Sequence, residues 1–367
     1  MELKKILIFN TAQANDIIGG SQNAIEDAIV VLLKNHFDVY YISSSYNIYN
    51  YKNTVYGLNR IYIRRISQNP ITFFIDFINT LKIITKIKFD IVWVNSAKPW
   101  FFFKSFIKTN KLIYTFHGPI LEEQKYSNAN VIKILLSKYL YQYLMKGVHL
   151  IHYNTTYVKT VVESEFKYLQ TKKYLVEEVL VSENMVFEKY NKILKSRLEK
   201  EKFTILIPRR LVNRTGVVNF LQLLLSIDKN LLDKFFFYIT GNGPQLNEVV
   251  SLISNFENIK YLGELPEVKF NSLFNNVDAI CIPSVAAEGF CLPAKVAFLL
   301  NKPVLHTGQG GLNETLNGFS KSYCFEYDTS SLSSSLTKLL EEHDFNSSFN
   351  QYEGIKFEQR FNNLLYN

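Results

Sequence analysis

Short runs of β-branched and aromatic residues alternate with longer amphipathic stretches along the chain. In the first half this pattern predicts six strands, at Lys5–Phe9, Val39–Ser43, Ile61–Ile66, Ile91–Asn95, Leu112–Phe116 and Leu150–Tyr153. Helical periodicity lies between them and is clearest at Gln22–Lys34, Thr72–Lys86 and Val131–Met145. Alternation of this kind predicts a parallel sheet covered by helices.

The second half shows the same alternation of strand-like and helical segments. Strands are predicted at Thr204–Pro208, Phe236–Thr240, Ile259–Leu262, Ala279–Pro283, Pro303–His306 and Tyr323–Phe325. Helices are predicted at Val217–Ser226, Gln245–Ser254, Lys269–Phe274, Pro293–Leu300 and Leu332–Glu342. We place a linker in the charged segment Glu183–Lys202. We therefore expect an α/β protein with two doubly wound, Rossmann-like domains, at 1–184 and 185–345, whose ligands bind at the carboxyl ends of the strands. A C-terminal helix within 346–367 is expected to pack back on the first domain.

The composition fits two ordinary cores and excludes several classes. The chain has 367 residues, of which 47% are hydrophobic, and this argues against global disorder. No apolar stretch is long enough to predict a transmembrane helix, and the N-terminus lacks the pattern of a signal peptide. Only three cysteines occur, Cys281, Cys291 and Cys324, and no cluster of Cys and His has the spacing of a zinc site. We therefore predict a cytoplasmic protein without a bound metal or cofactor.

Charge is distributed unevenly along the chain, whose net charge is +8. Residues 51–150 carry 15 basic and 4 acidic side chains, whereas residues 201–367 carry 14 and 17. Part of the basic excess is interleaved with aromatic residues, at Lys98, Trp100, Phe101, Lys104 and Lys108. This mixture is as typical of contact with an anionic membrane surface as of buried aromatic residues with solvated lysines, and it could also suit nucleic acid.

Four glycine-containing turns are predicted where a strand ends and a helix begins. They contain Gly19-Gly20, Gly241-Asn242-Gly243, Glu288-Gly289 and Gly308-Gln309-Gly310-Gly311. Glycine lets the backbone approach a ligand closely, and free N–H groups at a helix start suit a phosphate group. Such turns also need glycine for geometry alone, so each is a weak signal by itself.

Together these residues resemble the retaining glycosyltransferases of family 4, which have the GT-B fold of two Rossmann-like domains facing a central cleft. The motifs follow in order as Gly19-Gly20, Thr115-Phe116-His117-Gly118, Pro208-Arg209-Arg210-Leu211-Val212, Thr240-Gly241-Asn242-Gly243-Pro244, Tyr261-Leu262-Gly263-Glu264-Leu265, Glu288-Gly289-Phe290-Cys291-Leu292-Pro293 and Gly310-Gly311. The resemblance covers nearly the whole chain, and its most specific part runs from Leu262 to Gly311.

The resemblance implies roles for individual residues. His117 would lie near the transferred sugar, Arg210 would neutralise the diphosphate leaving group, and Glu288 would hold sugar hydroxyls. The implied donor-binding residues are Gly19, Gly20, Arg214, Gly241, Gly243, Leu262, Gly263, Glu264, Gly289, Phe290, Cys291 and Leu292. Taken singly, each residue also has an ordinary explanation: a satisfied histidine for His117, a salt bridge for Arg210, and a favourable helix-start charge for Glu288.

Two positions depart from the family pattern. Val296 stands where the family has a second glutamate that usually binds ribose hydroxyls, and Thr215 stands where it has a lysine. Arg214 could replace the missing charge, and valine would suit a deoxyribose donor such as a thymidine diphosphate sugar. Another side chain could instead bind the ribose in place of Val296, and the departures are also compatible with loss of donor binding.

The resemblance thus implies a metal-independent enzyme that transfers a sugar, with retention, from a nucleotide sugar to a glycan or lipid-linked glycan acceptor in surface polysaccharide synthesis. It would work in the cytoplasm, on the inner face of an anionic membrane, and not on nucleic acid. The alternative is a catalytically degenerate GT-B subunit that binds glycan or partners an active glycosyltransferase.

Overall fold

The computed structural model describes residues 3–10, 20–43, 58–63, 70–121, 130–178, 181, 183, 186, 190, 202–254, 256–342 and 357–366. The chain divides into two compact units, residues 1–182 with 355–367, and residues 183–354. We call these the first unit and the second unit. Gly19 and most of the predicted linker Glu183–Lys202 lie outside the described residues.

A seven-stranded parallel sheet forms the centre of the first unit. Its strands are β1 (Lys5–Phe9), β2 (Asp38–Ser43), β3 (Leu58–Tyr62), β4 (Phe89–Val94), β5 (Thr109–Phe116), β6 (Leu150–Tyr153) and β7 (Tyr174–Val176), in the order β3-β2-β1-β4-β5-β6-β7. Each of the six predicted strands has a counterpart. For the predicted segment Ile61–Ile66 this is β3, which begins three residues earlier and ends at Tyr62, and residues 64–66 lie outside the described residues. The short edge strand β7 was not predicted, because no residue of it is fully buried and alternation is weak there.

Helices cover both faces of this sheet. They are α1 (Gly20–Lys34), α2 (Pro70–Ile84), α3 (Ala97–Phe103), α4 (Val131–Leu144) and α5 (Thr156–Glu165). Side chains alternate along β1, so that Leu7 and Phe9 belong to one core while Ile6 and Ile8 belong to another. Helices α2, α3 and α4 contribute to the core that contains Leu7, and α1 contributes to the core that contains Ile6.

Helix α3 lies in the segment whose residues Trp100 and Phe101 were predicted to contact a membrane. Trp100 and Phe103, three residues apart on one helical face, are only 2% and 1% exposed. The Trp100 ring lies 5.4 Å from the ring of Phe9, edge to face, and Phe103 lies 4.8 Å from Phe77. Trp100 is therefore a core residue, and its assignment to a membrane surface is corrected. Phe101, on the opposite side of the helix, is 44% exposed.

The second unit contains a six-stranded parallel sheet. Its strands are β8 (Phe203–Pro208), β9 (Phe235–Thr240), β10 (Ile259–Gly263), β11 (Ala279–Ile282), β12 (Val304–His306) and β13 (Ser322–Cys324), in the order β10-β9-β8-β11-β12-β13. Its helices are α6 (Val217–Leu224), α7 (Lys229–Leu232), α8 (Leu246–Ile253), α9 (Glu267–Asn276), α10 (Leu292–Leu299), α11 (Leu312–Thr315) and α12 (Thr329–Glu341). All predicted strands and helices of this half are present, with shifts at their ends.

The last helix, α13 (Phe357–Tyr366), belongs to the first unit. Its Phe361 ring lies 5.5 Å from the ring of Trp93, and Arg360 donates a hydrogen bond to the carbonyl of Val181 at 3.0 Å. The predicted α/β class, with two doubly wound parallel sheets, is confirmed. Within the described ranges, no helix combines the length and the apolar character that crossing a membrane requires.

Candidate active site

The predicted donor-binding residues of the second unit come together at one edge of its sheet. Parallel strands bring their carboxyl ends to the same edge, where ligands of such sheets bind. Arg209 and Arg210 directly follow β8, Gly241 and Gly243 follow β9, and Glu288 lies in the connection after β11. The fold therefore places three turns of widely separated sequence along one edge.

A buried ion pair lies at the centre of this edge. The Arg209 guanidinium donates from Nη2 to Oε1 of Glu288. The same nitrogen also donates to Oγ of Ser284 at 3.0 Å, and Ser284 donates to Oε1 of Glu288 at 2.6 Å. On the other side of the carboxylate, Nη1 of Arg214 lies 3.8 Å from Oε2. Each carboxylate oxygen of Glu288 thus has an arginine beside it.

The backbone of Glu288 is held as firmly as its side chain. Its N–H donates to the carbonyl of Gln309 at 3.2 Å, and its own carbonyl accepts from the N–H of Gly311 at 2.7 Å. These bonds form a parallel bridge between Glu288 and Gly310, which lies in the glycine turn after β12. Two of the predicted glycine turns are therefore joined, and the carboxylate is fixed before any ligand arrives.

Electrostatics keep this carboxylate ionised. Burial by itself would raise the pKa of Glu288, but the charges of Arg209 and Arg214 and the hydrogen bond from Ser284 outweigh burial and lower the pKa below its usual value. The pair is 9% and 7% exposed, so water screens the interaction weakly. Arg209 and Glu288 are accordingly both charged at neutral pH.

Arg209 was not selected from the sequence, where the neighbouring Arg210 was preferred. Nε of Arg209 is buried and has no hydrogen-bond partner among the described residues, and its Nη1 lies 3.7 Å from Sγ of Cys291. Burial raises the pKa of Cys291 to about 11, so this residue remains a thiol. The sequence signal was a pair of adjacent arginines after a strand, and it did not indicate which one turns toward Glu288.

The two departures from the family pattern occupy different surroundings. Thr215 is 2% exposed, and its hydroxyl donates to the carbonyls of Arg210 at 2.5 Å and Val212 at 2.8 Å. Its side chain therefore stabilises the loop that carries the arginines. Val296 is partly buried in α10, and its neighbour Lys295 is 8% exposed with Nζ 5.0 Å from the centre of the Phe298 ring.

Two of the predicted glycines are required by backbone packing. A Cβ on Gly241 would lie 2.3 Å from the carbonyl oxygen of Arg209, and one on Gly243 would lie 2.2 Å from that of Leu211. Gly241 also has a positive φ of 111°. These glycines let the turn after β9 pack closely against the backbone that follows β8. Close packing alone therefore accounts for glycine at both positions, without any ligand.

The remaining predicted donor-binding residues occupy two turns at the same edge. Leu262 and Gly263 end β10, and the N–H of Gly241 donates to the carbonyl of Gly263 at 3.0 Å. Glu264 is exposed next to them. The sequence Gly289-Phe290-Cys291 connects Glu288 to Leu292, the first residue of α10. In the first unit, Gly20 is the first residue of α1.

His117 lies at the carboxyl edge of the first sheet, directly after β5. Its Nε2 lies 3.0 Å from Oδ1 of Asn95, which follows β4, and its Nδ1 lies 3.3 Å from Nδ2 of Asn154, which follows β6. Burial lowers the pKa of His117 to about 4, so the ring is neutral. Because an amide oxygen only accepts, Nε2 carries the proton, and both ring nitrogens are occupied. His117 is arranged as a hydrogen-bonded element rather than as a free base.

Two of the lysines predicted to contact a membrane, Lys104 and Lys108, lie at the protein surface. Lys104 donates to the backbone carbonyl of Tyr143 and lies 4.4 Å from the centre of its ring, while Lys108 is exposed. Lys98 belongs to α3. Among the described residues, no group of three or more His, Cys, Asp or Glu side chains could hold a metal ion.

Comparison with known proteins identifies the class. The model of the glycosyltransferase family 4 matches residues 18–174, and the model of the glycosyl transferases group 1 matches residues 188–354. No curated protein sequence matches the chain. The two matches and the two parallel sheets define a glycosyltransferase of the GT-B class.

Solved structures agree on the fold. Sucrose-phosphate synthase from Thermosynechococcus elongatus has a TM-score of 0.69 at 13% identity, over 99% of this chain and 94% of that one. Alr3699/HepE from Anabaena in complex with UDP-glucose has a TM-score of 0.66 at 16% identity, over 98% and 93%. WaaG, a glycosyltransferase involved in lipopolysaccharide biosynthesis, has a TM-score of 0.63 at 14% identity, over 91% and 90%. The chain belongs to the family 4 glycosyltransferases.

Proposed function

We propose that this protein transfers a sugar, with retention of configuration and without a metal or cofactor, from a nucleotide-sugar donor to a glycan or lipid-linked glycan acceptor in surface polysaccharide synthesis. The observation that carries the proposal is the fixed and ionised carboxylate of Glu288 at the carboxyl edge of the second sheet. A carboxylate held in this way is preorganised to accept hydrogen bonds from the hydroxyl groups of a sugar.

The arginines around Glu288 can stabilise the negative charge that develops on the leaving group. Breaking the bond between the sugar and the diphosphate leaves negative charge on the leaving group, and preorganised cations and N–H groups stabilise that charge. Arg209 and Arg210 at the end of β8, Arg214 in the following loop and the amides of residues 289–292 are the groups that we assign to this task. Nε of Arg209, buried without a partner among the described residues, is available to such an anion.

In the first unit, Asn95, His117 and Asn154 form a polar cluster that could bind sugar hydroxyls. Nδ2 of Asn95 and Oδ1 of Asn154 are buried and have no partner among the described residues, and both amides contact His117. A hydroxyl group both donates and accepts, so it could satisfy an unpaired amide nitrogen and an unpaired amide oxygen together. We assign His117 to orienting these two amides, since its neutral ring is already hydrogen-bonded on both nitrogens.

Two solved structures support the proposed classes of donor and acceptor. UDP-glucose is bound to Alr3699/HepE, and WaaG is described as involved in lipopolysaccharide biosynthesis. The competing function is a degenerate subunit that binds glycan or partners an active glycosyltransferase. It is favoured by one observation: both oxygens of Glu288 already have arginine partners, so fewer lone pairs remain for a sugar.

Calorimetric titration with the diphosphates of uridine, adenosine, guanosine and thymidine tests donor binding. We expect the wild-type protein to bind at least one of them, because the cations of the edge match a diphosphate. A ligand at 100 times its dissociation constant would stabilise the fold by about 2.7 kcal/mol, which a thermal-shift assay can confirm. Preference for thymidine diphosphate would support a deoxyribose donor beside Val296.

If the protein is instead a degenerate subunit, the same titration should give the opposite result. The wild-type protein would bind none of the four nucleotides, whereas the double variant Val296→Glu with Thr215→Lys would bind one. That pattern would contradict the proposed transfer. Tight binding of a ribonucleotide by the wild-type protein would contradict the deoxyribose explanation of Val296 while leaving the proposed transfer intact.

We propose in addition that the first unit rests on the anionic inner surface of a membrane. Large apolar side chains are exposed along α2, along α4 and in or just after α3, at Ile71, Phe74, Ile75, Ile78, Phe101, Phe106, Val131, Ile132, Leu135, Leu136 and Tyr139. The helices are neighbours, since Phe73 lies 5.0 Å from Phe102 and Phe101 lies 6.0 Å from Tyr143, ring to ring. Exposed apolar groups among lysines are typical of a membrane-facing surface.

Charge reversal tests this membrane surface. The triple variant with Lys98, Lys104 and Lys108 changed to glutamate should no longer sediment with anionic vesicles, because a lysine at an anionic membrane surface contributes about 1 kcal/mol to binding. The matched control reverses three exposed lysines of the second unit, Lys229, Lys260 and Lys269, and should still sediment. Equal sedimentation of the wild-type protein with neutral and anionic vesicles would contradict the proposal.

A further inference from the structure

A pocket of about 360 Å³ opens at the amino edge of the first sheet. It is lined in part by Thr109, the first residue of β5, and by His149, which directly precedes β6. His117 lies at the other end of β5, so the pocket occupies the sheet edge opposite the candidate active site of this unit. We call it the amino-edge pocket.

Three lysines line the amino-edge pocket, and none of its described lining residues is acidic. They are Lys104 and Lys108, from the segment between α3 and β5, and Lys146, from the turn after α4. Burial and the charges of Lys146 and Lys172 lower the pKa of Lys104. Like charges that converge in this way repel one another, and an anion between them would relieve the repulsion.

Two of the residues that line the pocket, Trp100 and His149, carry neutral N–H groups. Trp100 lines it, and its Nε1, buried in a side chain that is 2% exposed, has no hydrogen-bond partner among the described residues. A buried N–H group without an acceptor is costly to leave in that state. Nδ1 of His149 accepts from the N–H of Leu112 at 3.0 Å, so a neutral His149 ring carries its proton on Nε2 as a donor.

We propose that the amino-edge pocket binds the phosphate group of a phosphate ester. Several cationic and neutral donors around a small open volume match the acceptor oxygens and the charge of a phosphate. The ester could be a soluble metabolite or the headgroup of a phospholipid, and the apolar surface of α2, α3 and α4 favours the lipid. With a lipid source, the inference deepens the membrane part of the proposed function and rests on it; with a soluble source, it stands alone.

The test uses Lys146→Glu, which reverses a charge in the pocket, and Lys138→Glu as its matched control. Lys138 is an exposed lysine of α4 that does not line the pocket. Binding is measured by calorimetry with inorganic phosphate and with glycerol 3-phosphate, and by sedimentation with vesicles that contain phosphatidic acid. Lys146→Glu should weaken binding by about tenfold or more, the effect of losing one charge-assisted hydrogen bond, and Lys138→Glu should leave it nearly unchanged.

A third variant, Trp100→Phe, removes the indole N–H while keeping an aromatic ring in the core. It should weaken binding by about two- to tenfold, as expected for one neutral hydrogen bond. Weaker binding of the variants to the two soluble probes alone identifies a soluble source, and weaker binding to the vesicles alone identifies a lipid source. Equal weakening by Lys146→Glu and Lys138→Glu would show diffuse charge attraction and overturn the pocket, as would absence of binding to all three probes.

The readouts separate this inference from the rest of the proposed function. The pocket variants should bind nucleoside diphosphates as the wild-type protein does, because the pocket and the residues around Glu288 belong to different units. Failure of nucleotide binding in the wild-type protein, together with a selective effect of Lys146→Glu on phosphate binding, would reject sugar transfer and retain the pocket.

Discussion

Replacing Glu288 with glutamine is expected to lower the rate of sugar transfer by about 10²–10³-fold, the usual effect of removing one preorganised electrostatic contact. Glutamine keeps the size of the side chain and can still accept a hydrogen bond from Arg209. It removes the negative charge that holds two arginines in place and that binds sugar hydroxyls in the proposed site. The measurement is turnover with the donor identified by titration.

The matched control is Glu341→Gln, the same chemical change at an exposed position at the end of α12. It should leave turnover unchanged. Circular dichroism and the urea midpoint of unfolding are measured alongside, so that loss of activity is not confused with loss of structure. Near-normal turnover of a folded Glu288→Gln protein would contradict the proposed active site.

Removing Arg209 is expected to destabilise the second unit by about 3–5 kcal/mol, because Glu288 would then lose its closest partner in a buried position. Arg209 also carries the hydrogen bond to Ser284 that completes the local network. The free energy of unfolding of Arg209→Ala, measured in urea, should therefore fall far more than that of Arg210→Ala. Arg210 is partly exposed, and we expect Arg210→Ala to lower turnover while the fold stays intact.

A double variant isolates the ion pair from other effects of the substitution. Arg209→Ala combined with Glu288→Ala leaves no unpaired buried carboxylate, so part of the stability lost in Arg209→Ala should return. Equal destabilisation by Arg209→Ala and Arg210→Ala, or no recovery in the double variant, would contradict the central role of the pair.

The strands could be predicted because their signal is local. β1 and β6 have the predicted bounds, since each is a short apolar run flanked by polar residues. Helix α3 was not predicted, because its aromatic residues and flanking lysines are as typical of a membrane-facing surface as of a core. Only the packing of Trp100 and Phe103 against neighbouring aromatic rings distinguishes the two.

The candidate site was predictable in outline. Order and spacing of the motifs placed Glu288, Gly241 and His117 at strand ends, and the structure brings those of each unit to the carboxyl edge of its sheet. The individual partners were not predictable. His117 was selected as a residue beside the sugar, whereas its bonds to Asn95 and Asn154 depend on the neighbouring positions of β4, β5 and β6 in the sheet.

The sequence by itself determined most of the strands and the longer helices, because periodicity and turn residues act over a few neighbouring positions. The order of its motifs carried the resemblance to the family. The tertiary structure decided which of two adjacent arginines meets Glu288, a residue 79 positions away in the chain. That contact depends on the pairing of β8 with β11 and on the path of the loop after β11, and no local pattern records either of them. Burial of Trp100 and convergence of three lysines at the amino edge were decided in the same way, since both depend on which elements pack side by side.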